Sequence, residues 1–210
     1  ARIVLIEPRR LAARAAARRM AALLGEEVGE TVGWRMRLDT RISKKTRIEV
    51  VTEGVFTRMI LDDPELAGVD TVIFDEFHER SLDADFGLAL AIDVAAALRD
   101  DLKLLVMSAT LDGARVAALL GDAPVVESRG RAFPVTIVHR ERPGTVTVED
   151  AAASAVRAAL GEETGSILVF LPGQKEIRRV AERLEPILPE SVMLAPLYGA
   201  LDAAEQDRAV

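Results

Sequence analysis

Cysteine is absent from the 210-residue sequence, which excludes disulfides and thiolate metal sites and leaves a reducing compartment allowed. Histidine is nearly as scarce. With only His78 and His139, the usual zinc ligand sets cannot be assembled, and His139 is expected to be an ordinary strand residue. Aromatics make up 4% of the chain, and Trp34 and Tyr198 are its single Trp and Tyr. Core packing is the expected job of both, with base stacking as the alternative. No apolar stretch approaches the ~20 residues of a membrane span and no signal-peptide pattern opens the chain, so the expectation is a cytoplasmic protein with no membrane partner. An overall positive charge is lacking too: the net charge of −7 argues against a simple basic nucleic-acid binder.

What is present is a globular composition, 50% hydrophobic and 29% charged, with length for one large domain or two modest ones. The charge is uneven. Residues 1–47 carry 12 Lys and Arg against 5 Asp and Glu, which leaves 15 against 29 for the remainder. On charge alone the basic segment reads as a solvated helix face, with a phosphate-contacting surface as the alternative.

Hydrophobic patterning predicts strands separated by helices, and hence a parallel α/β sheet. Arg2–Ile6 reads as a strand, and the next helix runs from Pro8, as a first-turn proline, to Leu24, stopped by Gly25. A turn-rich, strand-like stretch with Gly29 and Gly33 leads to a strand over Arg47–Val51 and a short helix over Glu53–Leu61 capped by Thr52. Thr71–Phe74 is the next strand, Leu82–Leu98 a long apolar helix, Lys103–Met107 a strand and Gly113–Leu120 a helix. The alternation pauses at Ser128–Arg131, which divides the chain into a domain over 1–130 and a second over 131–210. The second part is expected to hold strands over Phe133–Val138, Ser166–Leu171 and Val192–Ala195, and helices over Glu149–Leu160 and Glu176–Leu188.

The sharpest chemical signal is Asp75-Glu76-Phe77-His78, directly after the apolar run Thr71–Phe74. Two adjacent carboxylates at the end of a buried strand are costly unless a cation or a reaction needs them. In open α/β sheets ligands sit beyond the carboxyl ends of the strands, where nucleoside triphosphatases hold Mg²⁺ and aim a water. Ser108-Ala109-Thr110 ends the strand that follows, and its hydroxyls can bond the carboxylates without adding charge. Pro8-Arg9-Arg10 and Thr52-Glu53-Gly54 follow two further strands, so four groups are expected on one sheet edge. Taken alone, Arg9 reads equally well as a surface arginine at a helix start.

In their order and placement these segments resemble the DEAH-type superfamily 2 RNA helicases, and Phe77 in place of the commoner alanine narrows the resemblance to the bacterial HrpB type. The likeness continues through Gly130–Val135, Ile167–Gly173 and Pro196–Leu201, and so covers essentially the whole chain. It implies two RecA-like parallel-sheet lobes, 1–130 with motifs Ia to III and 131–210 as the start of a second, truncated lobe. It further implies that Asp75 holds Mg²⁺ through its water shell, that Glu76 orients or deprotonates the water attacking ATP, and that His78 links hydrolysis to lobe closure. Ser108, Ala109 and Thr110 are then couplers, and Pro8, Arg9, Arg10, Thr52, Glu53 and Gly54 contact the backbone of a nucleic acid, RNA favoured over DNA. Adenine stacking falls to Arg19, with Arg18 adjacent.

Helicases of this kind also need a Gly-Lys-Thr or Gly-Lys-Ser phosphate loop, and none occurs here. The chain therefore reads as an internal fragment, inactive alone, with sheet edges left unpaired. The expected function is a part of an ATP-dependent nucleic-acid helicase that couples Mg-ATP hydrolysis to translocation and unwinding. The alternatives are an idle RNA-binding or scaffold module, which the missing loop favours, and a DNA-directed superfamily 2 translocase.

Overall fold

In the computed structural model, which describes residues 2–109, 113–128, 130 and 133–209, apolar β-branched runs become strands and alanine-rich runs become helices, as their side-chain periods require. The chain divides into two units, Ala1–Gly130 and Arg131–Val210. The first contains β1 (Ile3–Glu7), α1 (Arg10–Leu24), β2 (Val32–Met36), β3 (Asp39–Arg41), β4 (Ile48–Thr52) and α2 (Glu53–Asp62). It continues with β5 (Thr71–Phe74), a 3₁₀ turn (Phe77–Glu79), α3 (Leu82–Ala97), β6 (Lys103–Val106) and α4 (Gly113–Leu119).

The six strands form one sheet in the order β3-β2-β4-β1-β5-β6, parallel throughout except for β3 against β2. β1 lies between β4 and β5, with Ile3 opposite Ile48 on one side and Thr71 on the other. Side chains alternate between two cores. Val4, Ile6, Val51, Val72 and Phe74 pack beneath α2 and α3, whereas Leu5, Val32, Trp34, Met36 and Val50 pack beneath α1. α1 approaches closely because its sheet-facing row is Ala13, Ala17 and Ala21, all buried. Its end is set by Gly25, whose φ of 70° allows the left-handed turn that returns backbone N–H bonds to Ala21 and Ala22. On the opposite face Gly87 of α3 leaves room for Phe56, which meets Phe74 edge-to-face at 5.5 Å.

Nine of the twelve basic side chains in residues 1–47 are exposed, as a solvated face requires, whereas Arg14 is buried and Arg2 and Arg35 are half-buried. Arg35 Nε lies 2.7 Å from Glu49, a carboxylate only 1% exposed, and Arg2 approaches the same group at 3.9 Å. The guanidinium groups of Arg18 and Arg41 lie 5.7 and 5.2 Å from the centre of the Trp34 ring, and Trp34 Nε1 donates to Asp39 at 3.0 Å. Trp34 is thus a core residue, and base stacking is closed to it.

Several local expectations need correction. Pro8 precedes the helix instead of entering its first turn, since Arg9 is the extended N-cap residue and α1 starts at Arg10. Thr52 occupies the N-cap of α2 but makes no side-chain cap bond. In the second unit the helices form, as α5 (Val148–Glu162), α6 (Gln174–Leu184, then a 3₁₀ turn Glu185–Ile187) and α7 (Ala203–Ala209). Residues 133–138, 166–171 and 192–195, expected as strands, join no ladder among the described residues, and His139 is exposed outside any strand. Ladders are made by neighbouring backbone, and these runs stay open to solvent, with Val135 82% and Phe170 87% exposed. The core of this unit is Ala153 and Val156 of α5 against Val180 and Leu184 of α6, bridged by Arg183–Asp150 at 2.7 Å.

Gly33 marks the tightest approach in the sheet: a Cβ there would stand 2.4 Å from the Arg41 carbonyl oxygen and 2.9 Å from the Ile42 side chain. Gly33→Ala is therefore expected to destabilise the chain by about 1–3 kcal/mol, the usual cost of overpacking. Chemical denaturation reads this as a lower midpoint, and an unchanged midpoint would mean that the β2–β3 hairpin yields freely.

Candidate functional site

Parallel pairing of β4, β1, β5 and β6 sends their carboxyl ends to one edge of the sheet. Glu7 at the end of β1 lies opposite Thr52 at the end of β4, and Ile6 lies opposite Phe74, the last residue of β5. Asp75 continues the ladder by one bond, its N–H donating to the Ile6 carbonyl at 3.0 Å. Pro8-Arg9-Arg10, Thr52-Glu53-Gly54, Asp75–His78 and Ser108-Ala109 therefore emerge side by side.

Between β5 and α3 the backbone is bent twice into the left-handed region, at Glu76 (φ 49°) and at Arg80 (φ 47°). Such turns at residues other than glycine cost about 1–2 kcal/mol each and persist only where surrounding contacts hold them. Here Phe77 provides the anchor. Its ring is 6% exposed and meets Phe74 edge-to-face at 6.3 Å, its N–H donates to the Met107 carbonyl, and Arg80 lies 5.8 Å from its ring. The first bend lets Glu76 donate its N–H to Asp75 Oδ1 at 2.8 Å, leaving the Glu76 side chain 47% exposed.

His78 joins two of the expected groups. Its Nδ1 accepts from the Ala109 N–H at 3.2 Å and lies 3.3 Å from Glu76 Oε2. One nitrogen cannot accept from the amide and donate to the carboxylate together: the first needs the proton on Nε2, the second needs it on Nδ1. The imidazole thus has two alternative partners, one in the loop after β5 and one on the segment after β6.

The deepest carboxylate in the site is Glu7, which belongs to none of the four motifs. It is 5% exposed, whereas Asp75 is half-buried and Glu76 exposed. Burial raises its pKa to about 7, reinforced by the charge of Asp75, by a hydrogen bond shared with Asp75, and by Glu76 and Glu79. The signal was available in the sequence, because a glutamate directly after Ile3–Ile6 stands at the same kind of strand end as Asp75.

Side-chain bonds tie the flanking groups to the 75–81 loop. Arg9 donates to Glu79 at 3.1–3.2 Å, and Ser81 Oγ donates to Glu53 Oε2 at 2.6 Å while accepting the Ala84 N–H as the cap of α3. Arg10 and Gly54 are exposed, and space above Gly54 is open. Arg19 is exposed on α1, more than two helical turns beyond Arg10, whereas its neighbour Arg18 faces Trp34. Ser108 is exposed at the same edge as the acidic loop, and Thr110 lies outside the described residues.

Chemically, the edge offers one carboxylate fixed by a backbone amide and a second that is exposed and turned away from the core. No group of three or more His, Cys, Asp or Glu able to hold a metal occurs among the described residues. A pair of carboxylates suits Mg²⁺, which keeps much of its water and is held by one or two carboxylates together with substrate phosphates. Asp75, fixed by an amide, could hold such an ion, which would supply neutralising charge to phosphate oxygens.

A sequence model of the DEAD/DEAH box helicases matches residues 1–119. Among curated relatives, the ATP-dependent RNA helicase HrpB of Escherichia coli (strain K12) is 55% identical over 209 residues, which is 100% of this chain and 26% of that protein. The ATP-dependent RNA helicase HrpA of the same organism is 35% identical over 209 residues, 96% of this chain and 16% of that protein. The chain thus spans about a quarter or less of the length of these relatives. A crystal structure of E. coli DEAH/RHA helicase HrpB superposes with a TM-score of 0.91 at 55% identity, covering 99% of this chain and 27% of the other. The six-stranded, largely parallel α/β architecture is accordingly the RecA-like helicase fold, and the chain belongs to the DEAD/DEAH box helicase family.

Proposed function

We propose that this chain is the part of an ATP-dependent RNA helicase that activates water for ATP hydrolysis and relays the event to bound RNA. One observation carries the reading: Asp75 and Glu76 leave the same strand end in different environments, one fixed by an amide and one open to solvent. Phosphoryl transfer is chiefly positioning and charge neutralisation, so it needs one carboxylate toward the metal and another toward the nucleophile. Asp75 takes the first role, toward Mg²⁺. Glu76 takes the second, orienting the attacking water and accepting its proton.

His78, with Ser108, Ala109 and Thr110, serves as coupler in this reading, supported by the bond between the Ala109 N–H and the imidazole. Pro8, Arg9, Arg10, Thr52, Glu53 and Gly54 contact the RNA backbone, and Arg19 stacks on adenine. Support comes from the common edge that gathers the first two segments and from the name RNA helicase carried by the relatives. Residues 1–130 act as the first RecA-like lobe and 131–210 as the start of the second, and a cytoplasmic setting goes with the reading.

Glu76→Gln in the full-length protein is expected to retain ATP binding and to lose turnover by about 10²–10⁴-fold, because the amide keeps the shape without the base. Steady-state ATPase and fluorescent-nucleotide binding check this, and undiminished ATPase would remove Glu76 from the mechanism. A second expectation concerns Glu7, whose folded pKa of about 7 lies above the ordinary 4.5. The folded state then binds the proton more tightly. That contribution is fully present below about pH 4.5 and is lost as pH rises through about 7. Relative to Glu7→Gln, the 210-residue chain should lose about 1–3 kcal/mol of stability between pH 4.5 and 8. Parallel denaturation curves for the two chains across that range would contradict it.

A further inference from the structure

The 75–81 loop that carries Glu76 is anchored by Phe77, directly after Glu76, and enters α3 through Ser81. Ser81 does two jobs with one hydroxyl. It accepts the Ala84 N–H at 2.9 Å, as a helix cap does, and it donates to Glu53 Oε2 at 2.6 Å. The second bond is not needed for capping. It joins positions 28 apart in sequence and links the first residue of α2 to the cap of α3, in the same loop as Glu76. Both partners are half-buried, and the bond is short and charge-assisted, the kind that survives solvent competition. The loop's ion pair with the first segment, Arg9–Glu79, has an arginine 72% exposed, where ion pairs hold little.

We infer that the Ser81–Glu53 hydrogen bond is the positioning link through which RNA engaged at Thr52-Glu53-Gly54 sets the hydrolytic placement of Glu76, a link that rests on the roles proposed above for those segments. One left-handed bend, at Arg80, lies between Ser81 and the Phe77 anchor, and the other is at Glu76 itself, so a displacement of Ser81 acts on a backbone with few alternative conformations. Ser81 itself touches neither nucleotide nor RNA in this scheme. It acts through Glu53 on one side and through the bent loop on the other.

The test uses the full-length protein, with polyuridylate as the single-stranded RNA probe, and compares ATPase with and without RNA. Ser81→Asp keeps a good N-cap, cannot donate to Glu53 and sets a second carboxylate against it, which breaks the link by repulsion. It is expected to leave basal ATPase and RNA affinity within about twofold while lowering RNA stimulation about tenfold, or about 1.4 kcal/mol. Ser81→Thr, which caps and donates, should behave as the unsubstituted protein. Combining Ser81→Asp with Glu53→Gln restores a bond of reversed polarity, from the amide introduced at position 53 to the carboxylate introduced at position 81, and should regain most of the stimulation. A purely structural role for Ser81 would lower basal and stimulated rates together instead. Full stimulation in Ser81→Asp, or equal loss of basal and stimulated rates, overturns the inference while leaving the helicase reading intact. An unsubstituted protein that no RNA stimulates overturns both.

Discussion

The parallel pairing of β1 with β4 on one side and β5 on the other is the constraint on which the site depends. Each strand brings a short polar segment at its carboxyl end, and none of these segments has a fixed neighbour until the ladders set the register. With Glu7 opposite Thr52 and Ile6 opposite Phe74, the basic segment, the Thr-Glu-Gly turn and the acidic loop are delivered to one edge. A slip of one residue would turn every strand face over and carry the loop of Glu76 toward the wrong core. The two faces pack against different shapes, the alanine row of α1 on one side and Phe56 with α3 on the other, so a slip would mismatch both, and the packing that stabilises the unit also aligns the candidate chemistry.

Within that edge the 75–81 loop carries the local cost. Two non-glycine residues adopt left-handed backbone, and the compensation comes from the buried Phe77 ring, from the bond to the Met107 carbonyl and from the cap on α3. Phe77, which narrows the family resemblance, thereby has a physical role, because an alanine there could not fill the edge-to-face contact with Phe74. The same loop is reached by side chains from both flanking segments, Arg9 through Glu79 and Glu53 through Ser81.

Electrostatics divides the carboxylates by depth. Glu7 is buried and favours its proton, while Glu76 is open to solvent, so neighbouring groups of one chemical type differ in what they can do. A buried carboxylate with a raised pKa thus stands at the end of the first strand as well. Motif spacing pointed to Asp75 and Glu76 because adjacency is visible in one dimension. The depth of Glu7 is not, since it arises from β4 and β5 closing on either side of β1.

The amino-acid sequence by itself determined the alternation of strands and helices in the first unit, the stop at Gly25, the helices of the second unit and the order of the four polar segments. These follow from side-chain period, from glycine's access to positive φ and from apolar runs, all of which are local properties. Only the tertiary structure decided the sheet order, the burial of Glu7, the alternative partners of His78 and the Ser81–Glu53 bond, because each joins residues distant in the chain. It also decided that 133–138, 166–171 and 192–195 join no ladder among the described residues, since a strand needs a partner backbone as well as an apolar run.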